Sequence, residues 1–158
     1  MNDAFRQAVE RRDVTVGVVG LGYVGLPLIL AFGREGFPTL GFDVDTTKVD
    51  ALRSGRSYIQ HIPSQAIAEL VSGGRFDATT DFTRAAEADA LLLCVPTPLT
   101  SQREPDMSFV ERTVEAVAPH LRRGQLVVLE STTWPGTTRE RVLPVLEASG
   151  LREGEDFF

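Results

Sequence analysis

Three glycines at residues 20, 22 and 25 constrain this chain more than any other feature. They follow "VTVGVVG" (14–20), a short β-branched apolar run that predicts a buried strand. They open Tyr23 to Arg34, apolar on all sides, which predicts a buried helix. The order strand, GxGxxG, helix assigns each glycine a task. Gly20 permits the tight turn. Gly22, with no Cβ, lets a ligand approach the main chain. Gly25 lets the helix pack close to the strand. Helix N–H groups and the positive end of the helix dipole then face an anion, and a pyrophosphate fits that description.

The same alternation continues along the chain. Strands are expected at 38–43, 75–81, 90–95 and 125–131. Helices are expected at 45–55, 63–74, 107–124 and from Thr137 or Thr138 to Gly150. In the third of these, Phe109, Val110, Thr113, Val114 and Val117 share a face, and Pro119 should kink or end it. Asp45 or Thr46, Ser64, and Asp81 ahead of a short helix to Ala88 are candidate N-caps. Residues 1–13 read as a leader, helical or loose, and 14–158 as one domain. The expected fold is α/β: a doubly wound parallel sheet of the Rossmann type, three-layer α/β/α. "GEDFF" (154–158) reads as a last strand truncated at its start, and the chain as a piece of a longer protein.

Asp43 ends the second strand, 18 residues past Gly25. A carboxylate there can accept both hydroxyls of an adenosine ribose and would repel a 2′-phosphate. The next residue is Val44, not arginine, so NAD is favoured over NADP. Two further stretches belong to the carboxyl edge of the sheet, the ligand crevice of such folds. In "CVPTP" (94–98), either Thr97 contacts the cofactor or the prolines merely end the strand. In "ESTTWPGTT" (130–138), Thr137 and Thr138 read as helix caps, which leaves Ser131 and Thr132 facing the crevice. Trp134 packs on the cofactor or on a neighbouring loop. Cys94 sits in an apolar strand with no histidine near in sequence, so it reads as core. His61 and His120 match no metal spacing and read as loop or surface residues; no metal site is expected.

A net charge of −6 argues against a nucleic-acid partner, which needs a basic face, and no apolar run is long enough for a membrane span. The N-terminus lacks the apolar core of a signal peptide, and a single cysteine suits a reducing compartment. A cytoplasmic location is expected.

Together, "GLGYVGLPL", "GFDVDTTKVDALRSG", "CVPTPLT" and "ESTTWPGTT" resemble the UDP-glucose/GDP-mannose dehydrogenase family. "SYIQHIP" and "TTDFTRAAEADALLLCVPTPLTSQREPDMSFVE" are most similar to its bacterial UDP-N-acetyl-hexosamine 6-dehydrogenases, the UDP-N-acetylglucosamine type above all. The resemblance implies an NAD-dependent, four-electron oxidation of a sugar C6 hydroxyl to a carboxylate, for surface polysaccharide synthesis. It implies a pyrophosphate loop at Gly20, Leu21, Gly22, Tyr23, Val24 and Gly25. Asp43 and Lys48 would hold the adenosine ribose, and Thr97 would reach the cofactor. Thr132 would help hold a catalytic water near the nicotinamide. The family's nucleophilic cysteine, with its lysine, asparagine and aspartate, lies beyond this domain, and Cys94 does not match it. The acidic residues after the sixth strand and the interdomain helix that makes the family's dimer contact are not matched either. The expected parent is a homodimer or higher assembly acting on a UDP-sugar. The chain itself is expected to bind NAD without oxidising sugar.

Other readings stay open. UDP-glucose or UDP-N-acetylmannosamine could be the sugar. An S-adenosylmethionine-dependent methyltransferase shares the glycine loop and the acid, but the third glycine and the "PTP" loop argue against it. A non-catalytic nucleotide-binding module is the remaining alternative.

Overall fold

In a computed structural model that describes residues 3–158, β1 (Val16–Val19) forms the centre of a five-stranded parallel sheet. The other strands are β2 (Thr39–Phe42), β3 (Phe76–Thr79), β4 (Ala90–Leu93) and β5 (Leu126–Leu129), in the spatial order β3-β2-β1-β4-β5. The chain first winds outward through β2 and β3, then crosses back to β4 on the other side of β1. Connections therefore diverge at the carboxyl ends of β1 and β4. That divergence opens a crevice in any doubly wound sheet.

The helices are α1 (Asp3–Arg11), α2 (Gly25–Arg34), α3 (Thr46–Arg53), α4 (Ser64–Ser72), α5 (Ser108–Val117) and α6 (Leu143–Glu147). Period-two alternation sorts the strand residues between two cores. Val16, Val18, Ala78, Ala90 and Leu92 pack with Leu26, Ile29, Leu52 and Ile67 beneath α1 to α4. Val19, Phe42, Leu91 and Leu93 pack with Val110, Val114, Val117 and Leu146 beneath α5 and α6. Each fully buried leucine or isoleucine contributes roughly 1.5–3 kcal/mol. Part of the first core is α1 itself, through Phe5, Ala8 and Val9.

Gly20 adopts φ +92°, and a Cβ at Gly25 would lie 1.9 Å from the Gly20 carbonyl oxygen. The turn and the close helix–strand contact expected from the spacing are therefore both present. Asp45 caps α3 and Asp81 caps a 3₁₀ turn (Phe82–Glu87), each accepting from the amide two residues on. Ser64 is not a cap: it lies in the first turn of α4, and its hydroxyl accepts from the Ser57 amide at 3.0 Å. Thr137 occupies the N-cap position of the next helix but makes no side-chain capping bond. Its hydroxyl donates to the Trp134 carbonyl at 2.8 Å, and the helix that follows starts as a π-helical turn (Thr138–Val142) before α6. The helix expected over 107–124 ends at Val117 and gives way to a 3₁₀ turn, Ala118–His120, that contains Pro119. At the end of the chain, Phe158 donates to the Gln125 carbonyl at 2.9 Å and accepts from the Val127 amide at 2.6 Å. Together these form one parallel rung on the outer edge of β5.

Candidate functional site

A cleft of about 690 Å³ opens at the carboxyl edge of the sheet, where β1 and β4 part. Its size falls in the range of ordinary ligand pockets, roughly 300–1,000 Å³. Gly20, Gly22, Tyr23, Val24, Asp43, Lys48, Thr97 and Thr132, all expected from the sequence, line it. Two expected residues do not. Leu21 is fully buried, with its side chain against Gly41, and Gly25 lies packed beneath Gly20. Both support the floor without facing the opening.

The glycine loop presents free donors. The N–H groups of Gly22, Tyr23 and Val24 find no acceptor among the described residues, and they point the way into α2. A Cβ built on Gly22 meets nothing within 4 Å, so open space lies directly above the main chain there. Unpaired amides, a helix N-terminus and open space form a cradle for an anion. The fit to a dinucleotide's pyrophosphate rests on this geometry.

Asp43 connects that loop to β2. Its carboxylate accepts from the Leu21 amide at 2.9 Å, the Asp45 amide at 3.0 Å and the Lys48 ammonium at 3.2 Å. It is 7% exposed and lines the cleft. Each carboxylate oxygen has more than one lone-pair direction, so these three donors leave acceptor capacity toward the opening.

From the side, the loop is braced by the stretch "SYIQHIP". The Tyr58 hydroxyl donates to the Leu21 carbonyl, and the Lys48 ammonium sits 6.0 Å from the centre of the Tyr58 ring. Burial pushes the Tyr58 phenol well above its usual range, and the charges of Asp43 and Asp45 push it further, so it stays a donor. His61 stacks on Tyr23 at 6.1 Å. Leu21 is thus fixed at both backbone groups, by Asp43 and by Tyr58.

The Thr97 hydroxyl donates to the Thr132 carbonyl at 2.8 Å, which ties the loop after β4 to the loop after β5. Ser131 donates to the Val95 carbonyl at 2.7 Å, so its hydroxyl is spent on the same tie. Cys94 is buried at the cleft floor. Burial pushes its thiol up to about 11, and the negative charge of Glu130 adds to that, so it is no nucleophile at neutral pH.

Five further residues line the cleft without having stood out in the sequence as site residues: Phe82, Phe109, Arg112, Thr113 and Glu130. A signal for three of them exists. In α5, Val110, Val114 and Val117 form the buried stripe, while Phe109, Arg112 and Thr113 form a second stripe at i, i+3, i+4. Phe109, which the periodicity groups with the buried valines, is instead 42% exposed and faces the cleft.

Comparison with known proteins agrees with this geometry. Residues 14–157 match the model of the UDP-glucose/GDP-mannose dehydrogenase family, NAD binding domain. Over 148 residues the chain is 36% identical to a UDP-N-acetyl-D-glucosamine 6-dehydrogenase of Pseudomonas aeruginosa, covering 93% of this chain and 34% of that protein. It is 34% identical to a UDP-N-acetyl-D-mannosamine dehydrogenase of Pyrococcus horikoshii, covering 90% and 34%. Among solved structures, a ternary complex of GDP-mannose dehydrogenase from Pseudomonas aeruginosa superimposes with a TM-score of 0.86 at 30% identity, again over 90% and 34%. The chain spans about a third of the length of the curated relatives it matches.

Proposed function

The chain belongs to the UDP-glucose/GDP-mannose dehydrogenase family, as an NAD-binding domain, and on that premise we propose that it forms the cofactor half of a UDP-N-acetyl-hexosamine 6-dehydrogenase. One observation carries the reading: the free amides of residues 22–24 and the carboxylate of Asp43 open into one cleft, bridged by Leu21. The amides take the pyrophosphate. Asp43, held by Lys48, takes the adenosine ribose and disfavours a 2′-phosphate. The nicotinamide half would then lie over the ends of β4 and β5, beside the Thr97–Thr132 tie, where Thr132 would help to position a water.

When bound, NAD supplies a hydride acceptor; oxidising one C6 hydroxyl to a carboxylate consumes two NAD and one water. We take UDP-N-acetylglucosamine as the sugar nucleotide of the whole protein, on the likeness of "SYIQHIP" and "TTDFTRAAEADALLLCVPTPLTSQREPDMSFVE". UDP-N-acetylmannosamine and UDP-glucose are the alternatives. We also assign the whole protein to the cytoplasm, to an assembly of two or more copies, and to the synthesis of surface polysaccharide. By itself the 158-residue chain acts as a binding module. Its one cysteine is buried with its thiol pushed up, which makes it a poor nucleophile for the covalent intermediate that the family's chemistry needs.

Titration calorimetry of the chain tests the binding reading. NAD should bind at least ten times more tightly than NADP, and S-adenosylmethionine should give no heat. Equal affinity for NADP, or preference for S-adenosylmethionine, would sink it. Mixed with NAD and UDP-N-acetylglucosamine, the chain should release no NADH; steady turnover would refute the module assignment.

A further inference from the structure

Two acids line the cleft among the described residues, and NAD binding as set out above gives a task to Asp43 but none to Glu130. β4 and β5 are paired Leu93 to Leu129, and the Glu130 amide donates to the Leu93 carbonyl at 3.0 Å. The next rung therefore sets Glu130 beside Cys94. Leu126 and Val128 pack in the same core as Ala90, Leu92 and Cys94, so by alternation Glu130 leaves the sheet on the face that carries α2. It lines the cleft with Cys94, Ser131 and Thr132. It is exposed, and its carboxylate makes no hydrogen bond or ion pair with any described residue. The two cations that line the cleft lie elsewhere. Lys48 is paired with Asp43 beyond β1, and Arg112 comes from α5, on the opposite face. An unpaired carboxylate thus stands at the β4–β5 end, where the nicotinamide half of a dinucleotide would lie.

The nicotinamide ring is cationic in NAD⁺ and uncharged in NADH. A fixed negative charge beside it acts on one redox form and hardly on the other. Resting on the NAD-binding reading above, we propose that Glu130 sets the redox-state preference of the site, its carboxylate holding the cationic ring of NAD⁺ in preference to the neutral ring of NADH. The preference favours loading of the oxidant and release of the reduced product. Because Glu130 is solvated, the attraction is a screened one, and an effect of roughly 3- to 10-fold on the affinity ratio is expected.

The test is calorimetry or fluorescence titration of the chain with NAD⁺ and with NADH, for the wild type, Glu130→Gln and Glu130→Asp, each over a range of salt concentrations. Glu130→Gln should weaken NAD⁺ by roughly 3- to 10-fold and leave NADH nearly unchanged. Glu130→Asp should keep most of the wild-type ratio, and in the wild type the ratio should shift toward NADH as salt rises. An unchanged ratio in Glu130→Gln, or equal weakening of both forms, overturns the proposal. If Glu130→Gln does not fold, a wild-type ratio that stays flat across salt overturns it as well. Failure of the wild type to bind either form would sink the NAD reading itself, a result distinct from all of these.

Discussion

A methyl group at Gly22 would meet no atom within 4 Å, whereas one at Gly25 would lie 1.9 Å from the Gly20 carbonyl oxygen. The two positions therefore separate binding from folding. Gly22→Val should leave the thermal midpoint where it is and weaken NAD at least tenfold, because its side chain fills the cradle above the free amides. Gly25→Ala should destabilise the chain by about 3 kcal/mol, since backbone must move to admit the methyl. Thermal unfolding and calorimetry on both variants check this; a Gly22→Val variant that binds normally would deny the cradle its role. The same spacing that makes Gly20, Gly22 and Gly25 legible in the sequence misplaces Leu21. A motif gives the order of residues around a turn, and only the folded turn reveals which ones face inward. Here Leu21 spends its amide on Asp43 and its carbonyl on Tyr58, and the second partner lies 37 residues away.

Caps and stripes decide how well the elements can be read. Asp45 and Asp81 are legible because an Asp ahead of a helix has a local use, and each is engaged with a threonine two residues on. Those hydrogen bonds, from the threonine hydroxyl first and its amide second, hold both carboxyls below their usual value. Because the folded values are lowered, the stability they contribute is complete above the unfolded value and is lost as pH falls through the folded ones. An acid titration of stability should lose the cap contribution only there. Ser64 and Thr137 look like caps by the same local rule, yet their hydroxyls are engaged with Ser57 and Trp134. Gln125 is the reverse case, a polar residue at the start of a strand that nothing local explains. It is fully buried, donates to the carbonyls of Ala85 and Ala88, and accepts from the Arg122 amide at 2.6 Å. Gln125→Leu leaves the Arg122 amide without its acceptor and takes one donor each from the Ala85 and Ala88 carbonyls, which keep the Ala88 amide and the Arg122 guanidinium, and should cost about 1–3 kcal/mol. The urea midpoint should fall with the slope unchanged, while NAD affinity holds, because Gln125 sits at the amino end of β5, opposite the cleft. An unmoved midpoint would contradict this role for Gln125 in anchoring the strand.

At the scale of the whole molecule, the strand order β3-β2-β1-β4-β5 does what no single element can. It brings the ends of β1, β2, β4 and β5 and one side of α5 to a common crevice. Alternation of strand and helix makes the doubly wound sheet legible, and the glycine loop and Asp43 locate its crevice. Phe82, Phe109, Arg112, Thr113 and Glu130 are not legible as site residues, since each has an adequate local reading as core, helix surface or strand end. They become neighbours only when the sheet assembles. The functional reading thus reduces to one spatial claim: a dinucleotide lies along this edge, with its diphosphate on residues 22–24 and its adenosine ribose at Asp43. Titration of the ¹⁵N-labelled chain with NAD, followed by amide chemical shifts, addresses it most directly. The largest shifts should fall on Gly22, Tyr23, Val24, Asp43 and Val44, with a second group at Thr97 and Glu130 to Thr132. Saturable shifts that spare the glycine loop and gather elsewhere, or no shifts at millimolar NAD, would contradict it.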